Sequence, residues 1–446
     1  MGRMATVLRL HAPVVLPCDA DCTVLRDAVV DIDETGRIAH TGPRADAPAL
    51  PEGAVLRECG GILMPGMVNT HAHTPMTLLR GLGAELPLLR WLREAIWPTE
   101  ARLTPEDVHA GMVLGALEML GAGVTTSVEG YFHADRMAEA VLQVGSRAVI
   151  GPAVLDLPGV NDGGWRRMTD DISAWIDADG LRFGPGERIE LSYAPHSAYM
   201  LPPEALREIG EAARERGALV QTHVAEAAAE DLVQRERYGS VPSLLEELGV
   251  LGDRFLAAHC VHLSDDDIKI FARHGVGVAH CPGSNAKLAS GTARLLDMVA
   301  AGVRVGLGTD GPASNDDLDL WEEARLAALF ARLSASDASA VGAARVLLLA
   351  TRGGAEALHR DDIGALEAGR WADVVHVDAD DHAFPAGLGV PDDELLANLV
   401  WAAGARCVRD VWVAGEQVLA ERTSTRVDLA EARATARVSA LRIRTA

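Results

Sequence analysis

Two histidines at alternate positions open the part of the sequence that is richest in chemistry. His71 and His73 end the apolar run GILMPGMVNT, which is typical of a buried strand. Alternate residues of a strand share one face, so both imidazoles point the same way. Two imidazoles that converge on one point suit a divalent metal such as zinc, whereas a lone histidine at a strand end is more often structural. The pair therefore predicts a metal site.

More ionisable residues stand at the ends of other apolar runs. They are His196, His223, Glu226, His259, His280 and Asp310. With the first two histidines, His223 and Asp310 make a set of three nitrogens and one carboxylate, which leaves room for a water molecule on a divalent metal. Metal binding lowers the pKa of such a water and supplies hydroxide at neutral pH.

Several of these residues are candidates for proton transfer. Glu226 follows a predicted ligand histidine by three residues, where its carboxylate can carry a proton from the water to a ring nitrogen and to leaving ammonia. Its alternative role is that of a helix N-terminal glutamate, but beside a ligand histidine we favour catalysis. His259 would orient the attacking water or stabilise developing charge, and Asp310 would accept the proton of the water. We expect His262 to be structural, and for His280 both a pocket and a structural role stay open.

Short apolar runs, each followed by a helical stretch, recur eight times through the middle of the chain. They are GILMPGMVNTHAH, GVTTSVEG, RAVIGPAVLD, RIELSYAPHS, ALVQTHVAE, RFLAAHCV, GVGVAHCP and VRVGLGTD. Eight strand–helix units predict the α/β class and a closed (β/α)8 TIM barrel, with the chemistry at the C-terminal strand ends. A doubly wound open sheet is the alternative, but no GxGxxG turn follows the first strand.

The two ends of the chain read differently from the middle. Both are rich in β-branched runs separated by turns such as Asp-Glu-Thr-Gly and Ala-Gly-Glu. We therefore expect a small composite β-sandwich domain from residues 1–62 and 364–446, beside a barrel over residues 63–363.

Composition narrows the possible classes of protein. The chain has 446 residues, 48% of them hydrophobic and 24% charged, with a net charge of −23, which indicates a soluble globular protein. The negative charge argues against nonspecific binding to nucleic acid or to an anionic membrane surface. We expect no signal peptide, no transmembrane helix and, from six scattered cysteines, reduced thiols in the cytoplasm.

Longer motifs resemble the amidohydrolase superfamily and, within it, the methylthioadenosine/S-adenosylhomocysteine deaminases. The motifs are PGMVNTHAHTPMTLLRGLGAELPLLRWLREAIWPTE, THVAE, AAHCVH, HCPGSNAKLASG and LGTDGPASNDDLDLWEE. The resemblance runs from about Met64 through AGRWADVVHVD and implies a hydrolytic deaminase of an adenine nucleoside. It implies these metal ligands: His71, His73, His223 and Asp310. It also implies Glu226 as the proton shuttle and His259 as its catalytic partner.

The resemblance extends to the substrate. It implies that Glu100 holds the ribose hydroxyls and that His196 contacts the nucleoside, although Glu100 in a charged run also fits an exposed helix-end acid. Family members that handle S-adenosylhomocysteine carry two arginines for its carboxylate. Here Pro152 stands at the first position and Arg166 lies near the second, which predicts a substrate with a short or uncharged 5′ group. Methylthioadenosine, 5′-deoxyadenosine and adenosine fit that description.

The lysine count bears on the number of metals. Related two-metal enzymes use a carbamylated lysine from a middle strand, but no lysine lies between His73 and His223. We therefore expect one divalent metal, zinc before iron, manganese or nickel. The alternatives are a sister enzyme that deaminates or dechlorinates another heterocycle (guanine, cytosine or triazine type) and a barrel that has lost catalysis, which a complete ligand set disfavours. We expect a homo-oligomer, a dimer or tetramer.

Overall fold

The computed structural model describes residues 6–155 and 164–445 of the chain. Its strands are β1 (Thr6–Val15), β2 (Leu25–Asp33), β3 (Ile38–Pro43), β4 (Val55–Glu58), β5 (Ile62–Pro65), β6 (Met67–Ala72), β7 (Val124–Tyr131), β8 (Arg147–Val154), β9 (Arg182–Phe183), β10 (Ile189–Pro195), β11 (Leu219–Val224), β12 (Phe255–His259), β13 (Gly277–His280), β14 (Arg304–Leu307), β15 (Val374–Val377), β16 (Val408–Val413), β17 (Glu416–Ala420) and β18 (Thr423–Ser424).

Helices fill the intervals between the strands. The α-helices are α1 (Leu88–Trp91), α2 (Trp97–Glu100), α3 (Pro105–Gly121), α4 (Ala134–Val144), α5 (Gly164–Asp179), α6 (Pro203–Arg216), α7 (Ala228–Tyr238), α8 (Val241–Glu247), α9 (Asp265–His274), α10 (Pro282–Lys287), α11 (Leu295–Ala300), α12 (Leu320–Ala335), α13 (Ala343–Ala350), α14 (Arg352–Ala357), α15 (Asp392–Ala397) and α16 (Leu429–Thr445). A π-helical turn, Leu92–Ile96, joins α1 to α2. Across the described residues, no helix has both the length and the apolar character needed to span a membrane.

Eight parallel strands form a closed barrel in the middle of the chain. They are β6, β7, β8, β10, β11, β12, β13 and β14, in that order. The ring closes where Ala72 bridges to Asp310 and the Asp310 backbone N–H donates to the His71 carbonyl at 2.9 Å. Nearby, the Asn69 side chain donates to the Thr309 hydroxyl at 2.8 Å and accepts from the Thr309 backbone N–H at 3.0 Å. The predicted (β/α)8 barrel is confirmed, and the open sheet is excluded.

The first apolar run serves two different sheets. Residues 62–65 form β5 in the small sheet, and residues 67–72 form β6 in the barrel. Gly66 lies between them and packs so tightly that a Cβ there would stand 2.0 Å from the Thr125 hydroxyl oxygen. The run was expected to be a single strand. The run stays apolar on both sides of Gly66 because each of the two sheets buries its own part of the run.

The two chain ends build the second sheet. Its strand order is β18, β17, β16, β15, β5, β1, β2 and β3, with β4 paired to β1. β5 joins the two halves, since it runs parallel to β1 and antiparallel to β15. Residues from both ends share one buried cluster, which includes Leu10, Val30, Leu63, Val374 and Trp412. A small β-domain from both ends is confirmed, while its limits at 1–62 and 364–446 stay a prediction.

A buried ion pair fastens the small sheet to the barrel. Arg147 begins β8, and its Nε and Nη2 donate to the two carboxylate oxygens of Asp373, both at 3.0 Å. Its Nη1 donates to the Gly186 carbonyl at 2.7 Å and to the Glu187 carbonyl at 2.9 Å. Both charged side chains are buried. Desolvation offsets much of the attraction within such a pair, but loss of one partner leaves an uncompensated buried charge.

Replacing Asp373 by alanine should lower the free energy of unfolding by about 3–5 kcal/mol, because the Arg147 guanidinium would stay buried without its counter-charge. Urea denaturation followed by circular dichroism measures the change. Asp380→Ala removes an exposed carboxylate and is the control, with an expected change within about 0.5 kcal/mol. Equal stability of the two variants would show that the pair does not fasten the sheet.

Candidate metal centre and cavity

Five side chains from four strand ends converge at the C-terminal rim of the barrel. His73 Nε2 lies 3.3 Å from His223 Nε2 and 3.4 Å from Asp310 Oδ1. His71 Nε2 lies 3.6 Å from the same carboxylate oxygen. The ligand atoms of His71, His73 and His223 all lie within 4.8 Å of one another, and so do those of His71, His259 and Asp310. The structure thus brings together the four predicted metal ligands with His259 beside them.

Backbone carbonyls orient two of the imidazoles. His73 Nδ1 donates to the Gly130 carbonyl at 2.7 Å, and His223 Nδ1 donates to the His196 carbonyl at 2.6 Å. A proton on each Nδ1 leaves a lone pair on each Nε2, and these two lone pairs face each other across 3.3 Å. A cation between them relieves this repulsion. The His71 Nε2 is also buried and has no hydrogen-bond partner in the described part of the chain. This donor set fits a divalent metal.

Burial keeps the imidazoles in the form that binds metal. It lowers the pKa of His71 and of His223 well below the usual value for histidine, and it lowers the pKa of His196 to about 3. Burial alone would raise the pKa of Asp310, but the nearby imidazoles, His259 first, and a hydrogen bond from Ser284 lower it overall. Neutral imidazoles and an ionised carboxylate are the protonation states that metal ligation requires.

The Asp310 carboxylate is held in a strained turn. Asp310 has φ of +62°, in the left-handed region that few residues other than glycine adopt. Its Oδ2 accepts from the Ser284 hydroxyl at 2.6 Å and from the Ser314 hydroxyl at 2.8 Å. Its Oδ1 accepts from the Gly311 backbone N–H at 2.6 Å. These bonds aim the carboxylate at the histidines, and such strain is often found at functional sites.

His259 and Glu226 lie next to the ligand cluster. His259 Nδ1 donates to Asn285 Oδ1 at 2.9 Å, and its ring centroid is 5.3 Å from that of His71. Burial opposes protonation of His259, yet the Glu226 and Asp310 carboxylates raise its pKa overall. Burial likewise raises the pKa of Glu226, which lines the same cavity. Two side chains that can carry a proton therefore face one space.

A cavity of about 390 Å³ opens above the cluster. Its lining includes four of the predicted substrate or catalytic residues: Glu100, His196, Glu226 and His259. Glu100 lies in the cavity wall rather than on an exposed helix end, and its Oε1 accepts from the Tyr131 hydroxyl at 2.7 Å. Burial raises the pKa of Glu100 to about 7, although the Tyr131 hydrogen bond opposes the shift.

Three residues considered in the sequence analysis lie outside the cavity wall, and only Arg166 was expected to contact the substrate. Arg166 is exposed on α5, where it pairs with Glu208 at 2.9 Å, and it does not line the cavity. His280 is buried in the barrel outside the cavity lining, and burial lowers its pKa to about 4. His262 Nε2 donates to the Ser290 carbonyl at 2.9 Å, in keeping with a structural role.

Several cavity residues were not singled out from the sequence. The apolar and aromatic part of the wall contains Leu88, Trp91, Leu92, Ile96, Phe132, Leu155 and Met168. The segment 88–100 supplies many of them. It contains a π-helical turn at Leu92–Ile96, for which the amino-acid sequence carries no signal. Such turns recur at functional sites because they shift side chains out of the regular helical register.

The Amidohydrolase family profile matches residues 62–418. The chain belongs to the amidohydrolase family. It is 39% identical over 442 residues to the 5-methylthioadenosine/S-adenosylhomocysteine deaminase of Pelotomaculum thermopropionicum, with 99% of each chain covered. It is 38% identical over 399 residues to the 5′-deoxyadenosine deaminase of Methanopyrus kandleri, covering 89% of this chain and 90% of the relative. A zinc-bound adenosine deaminase from Xanthomonas campestris superposes with a TM-score of 0.92 at 37% identity, over 100% of both chains.

The Glu100 carboxyl group in the cavity wall gives the stability of this amidohydrolase a testable pH dependence. Because its folded-state pKa is raised to about 7 from an ordinary value of 4.5, Glu100 favours the folded state at low pH. That contribution is lost as the pH rises from about 4.5 through about 7. Glu100→Gln should therefore raise the Tm relative to wild type at pH 8 and change it little at pH 5. Glu106→Gln, at an exposed position, is the control. A Tm difference that does not grow with pH would contradict the assignment.

Proposed function

We propose that the chain is a metal-dependent hydrolytic deaminase that converts an adenine nucleoside to its inosine analogue and ammonia. The observation that carries the proposal is the facing pair of imidazole lone pairs, His73 and His223, beside an ionised Asp310 and below a cavity that contains Glu226. The names of the relatives support the reaction and the substrate class.

The proposed chemistry divides between a metal and the side chains of the cavity. His71, His73, His223 and Asp310 would hold the metal, whose chemical contribution is to make water a nucleophile at neutral pH. Glu226 would protonate N1 of the purine as water attacks C6, then take up the proton of the added hydroxyl group and pass it to the C6 amino group, which leaves as ammonia. His259 and Asp310 would hold the proton first removed from the attacking water and return it to Glu226.

The cavity wall suggests how the nucleoside is oriented. Tyr131 holds one oxygen of Glu100 in place, and a carboxylate has enough lone pairs to accept from both hydroxyls of a ribose. His196 lies in the same wall, and its ring centroid is 4.6 Å from that of His223. We assign Glu100 to the ribose diol and His196 to the nucleoside near the reacting ring. A ribose site favours this substrate class over free bases and triazines.

The 5′ end of the substrate would meet a wall without a lysine or arginine. Pro152 lines the cavity, and the described cavity wall includes no lysine or arginine. Arg166 and Arg167 are exposed on α5, and residues 156–163, which read DLPGVNDG, contain no basic residue. A carboxylate buried here would lack the charge-assisted partner that a tight site requires. We therefore expect a preference for methylthioadenosine, 5′-deoxyadenosine or adenosine over S-adenosylhomocysteine.

We also propose zinc as the metal, one ion per chain. The zinc in the Xanthomonas campestris adenosine deaminase supports this choice, although the same ligand types accept iron, manganese or nickel. The cytoplasmic location and a dimeric or tetrameric assembly stay predictions.

Ammonia release tests the reaction and the substrate ranking together. The zinc-loaded protein should deaminate methylthioadenosine, 5′-deoxyadenosine and adenosine with a kcat/KM at least about tenfold above that for S-adenosylhomocysteine, because its carboxylate finds no cation. Guanine, cytosine and a chlorotriazine complete the panel and should not react. Turnover of one of these three, without turnover of any adenine nucleoside, would contradict the proposed function.

Glu226→Gln should lower kcat at least about a hundredfold, which is the usual scale for loss of a general acid–base group. Bound metal, measured by mass spectrometry, should stay near that of wild type, because the amide replaces a carboxylate that is not a ligand. His71→Ala should instead lose the metal. Glu236→Gln, on the exposed face of α7, is the matched control and should keep wild-type kcat. Near-normal turnover in Glu226→Gln would remove Glu226 from the mechanism.

A further inference from the structure

Two neighbouring residues of α10 contact two different residues of the candidate centre. The Ser284 hydroxyl donates to Asp310 Oδ2 at 2.6 Å, and Asn285 Oδ1 accepts from His259 Nδ1 at 2.9 Å. Ser284 and Asn285 are both buried. The position of this single helical turn therefore sets the orientation of the carboxylate and of the imidazole at the same time.

The turn rests on a buried carboxyl group of α12. Glu323 is fully buried, and its Oε2 accepts from the Gly283 backbone N–H at 2.9 Å. Its Oε1 accepts from Asn315 Nδ2 at 3.1 Å. Asn315 belongs to the loop that follows Asp310 and donates its backbone N–H to the Gly311 carbonyl at 3.0 Å. One carboxyl group thus joins α10 to the loop that carries Asp310.

The contact leaves no spare space. A Cβ at position 283 would stand 2.2 Å from Glu323 Oε1 and 2.2 Å from Asn315 Oδ1, so only glycine allows the carboxyl to approach the backbone this closely. Glycine at 283 and the carboxyl at 323 therefore depend on each other, and both are needed for the hydrogen bond to the turn.

A carboxyl group at this depth is costly. Burial raises the pKa of Glu323 well above its usual range, and its hydrogen-bond partners within residues 6–155 and 164–445 are a backbone N–H and an amide, with no cation among them. An apolar side chain of similar size would fill the space without this desolvation cost. Packing alone therefore does not account for a glutamate here, whereas the need for two acceptors does.

We propose that Glu323 is a positioning residue of the active site. It holds α10 so that Ser284 orients Asp310 and Asn285 orients His259. The inference rests on the proposed function for the identity of the reaction, but the contacts that carry it are independent of the substrate.

Glu323→Met removes both acceptors at nearly constant volume. It should lower kcat about 10- to 100-fold, the usual scale for loss of a group that orients a ligand or catalytic residue, and change KM less than about threefold. Glu323→Gln keeps an acceptor for the Gly283 N–H, and the Asn315 amide can rotate to accept from the new one, so this variant should recover most of the loss. Glu322→Met, at the exposed neighbouring position, is the matched control and should behave as wild type.

A double-mutant cycle separates positioning from general stability. If Glu323 acts through α10, Glu323→Met should cost less than about threefold in kcat when Ser284→Ala and Asn285→Ala are already present, since coupled contacts are not additive. A loss of kcat that is equally large in both backgrounds would overturn the proposal. So would wild-type kcat in Glu323→Met, or a failure of Glu323→Gln to recover activity.

A second readout does not depend on turnover. In the metal-loaded chain labelled with 15N-histidine, the Nδ1–H resonance of His259 reports the hydrogen bond to Asn285. Glu323→Met should move this resonance in the same direction as Asn285→Ala does, and Glu322→Met should leave it unchanged. A resonance that Asn285→Ala moves and Glu323→Met does not would overturn the proposal. If wild type deaminates no adenine nucleoside, the proposed function fails, and this resonance still decides the role of Glu323.

Discussion

The rest of the structure depends on one constraint. Several unprotonated imidazoles must converge on one point that is shielded from water. His73 and His223 each give a proton to a backbone carbonyl, at Gly130 and His196, and so direct their lone pairs at each other. Both carbonyls lie at the C-terminal rim of the barrel, since Gly130 is the last residue but one of β7 and His196 directly follows β10. Closure of the barrel between Ala72 and Asp310 then places the neutralising carboxylate within reach. The ligand cluster therefore lies at the seam where the first and last strands close the barrel.

The fold was predictable where buried strands leave a recognisable apolar pattern in the sequence. All eight apolar runs of the middle segment became barrel strands, because strands covered on both faces read as continuous apolar runs. The break at Gly66 was not predictable, since burial in two successive sheets gives one uninterrupted pattern. The strand order of the nine-stranded sheet was not predictable either. Its strands β5 and β15 pair although most of the chain separates them in sequence, and no local signal encodes their register.

The residues of the site were predictable by type, whereas their supports were not. Histidines and carboxylates at strand ends stand out in a sequence, and the structure brings the four ligand candidates together. Tyr131 directly follows the predicted strand GVTTSVEG, and only the packed chain shows its hydroxyl on Glu100. Arg166 was placed by motif spacing alone, but its helix directs it to solvent. Glu322 and Glu323 are identical neighbours in sequence, and helix direction alone makes one exposed and the other buried.

The sheet built from both chain ends has a consequence for synthesis. Pro65 ends β5 and Val374 begins β15, its antiparallel partner, so about 310 residues separate the two. At a synthesis rate of about 5–20 residues per second, roughly 15–60 s pass on the ribosome before β15 exists and can pair with β5. Until then a wholly apolar strand presents unpaired backbone groups, which is the usual template for aggregation. Nascent β5 therefore stays exposed to nonnative pairing, and the barrel must emerge while its small neighbouring sheet is still incomplete.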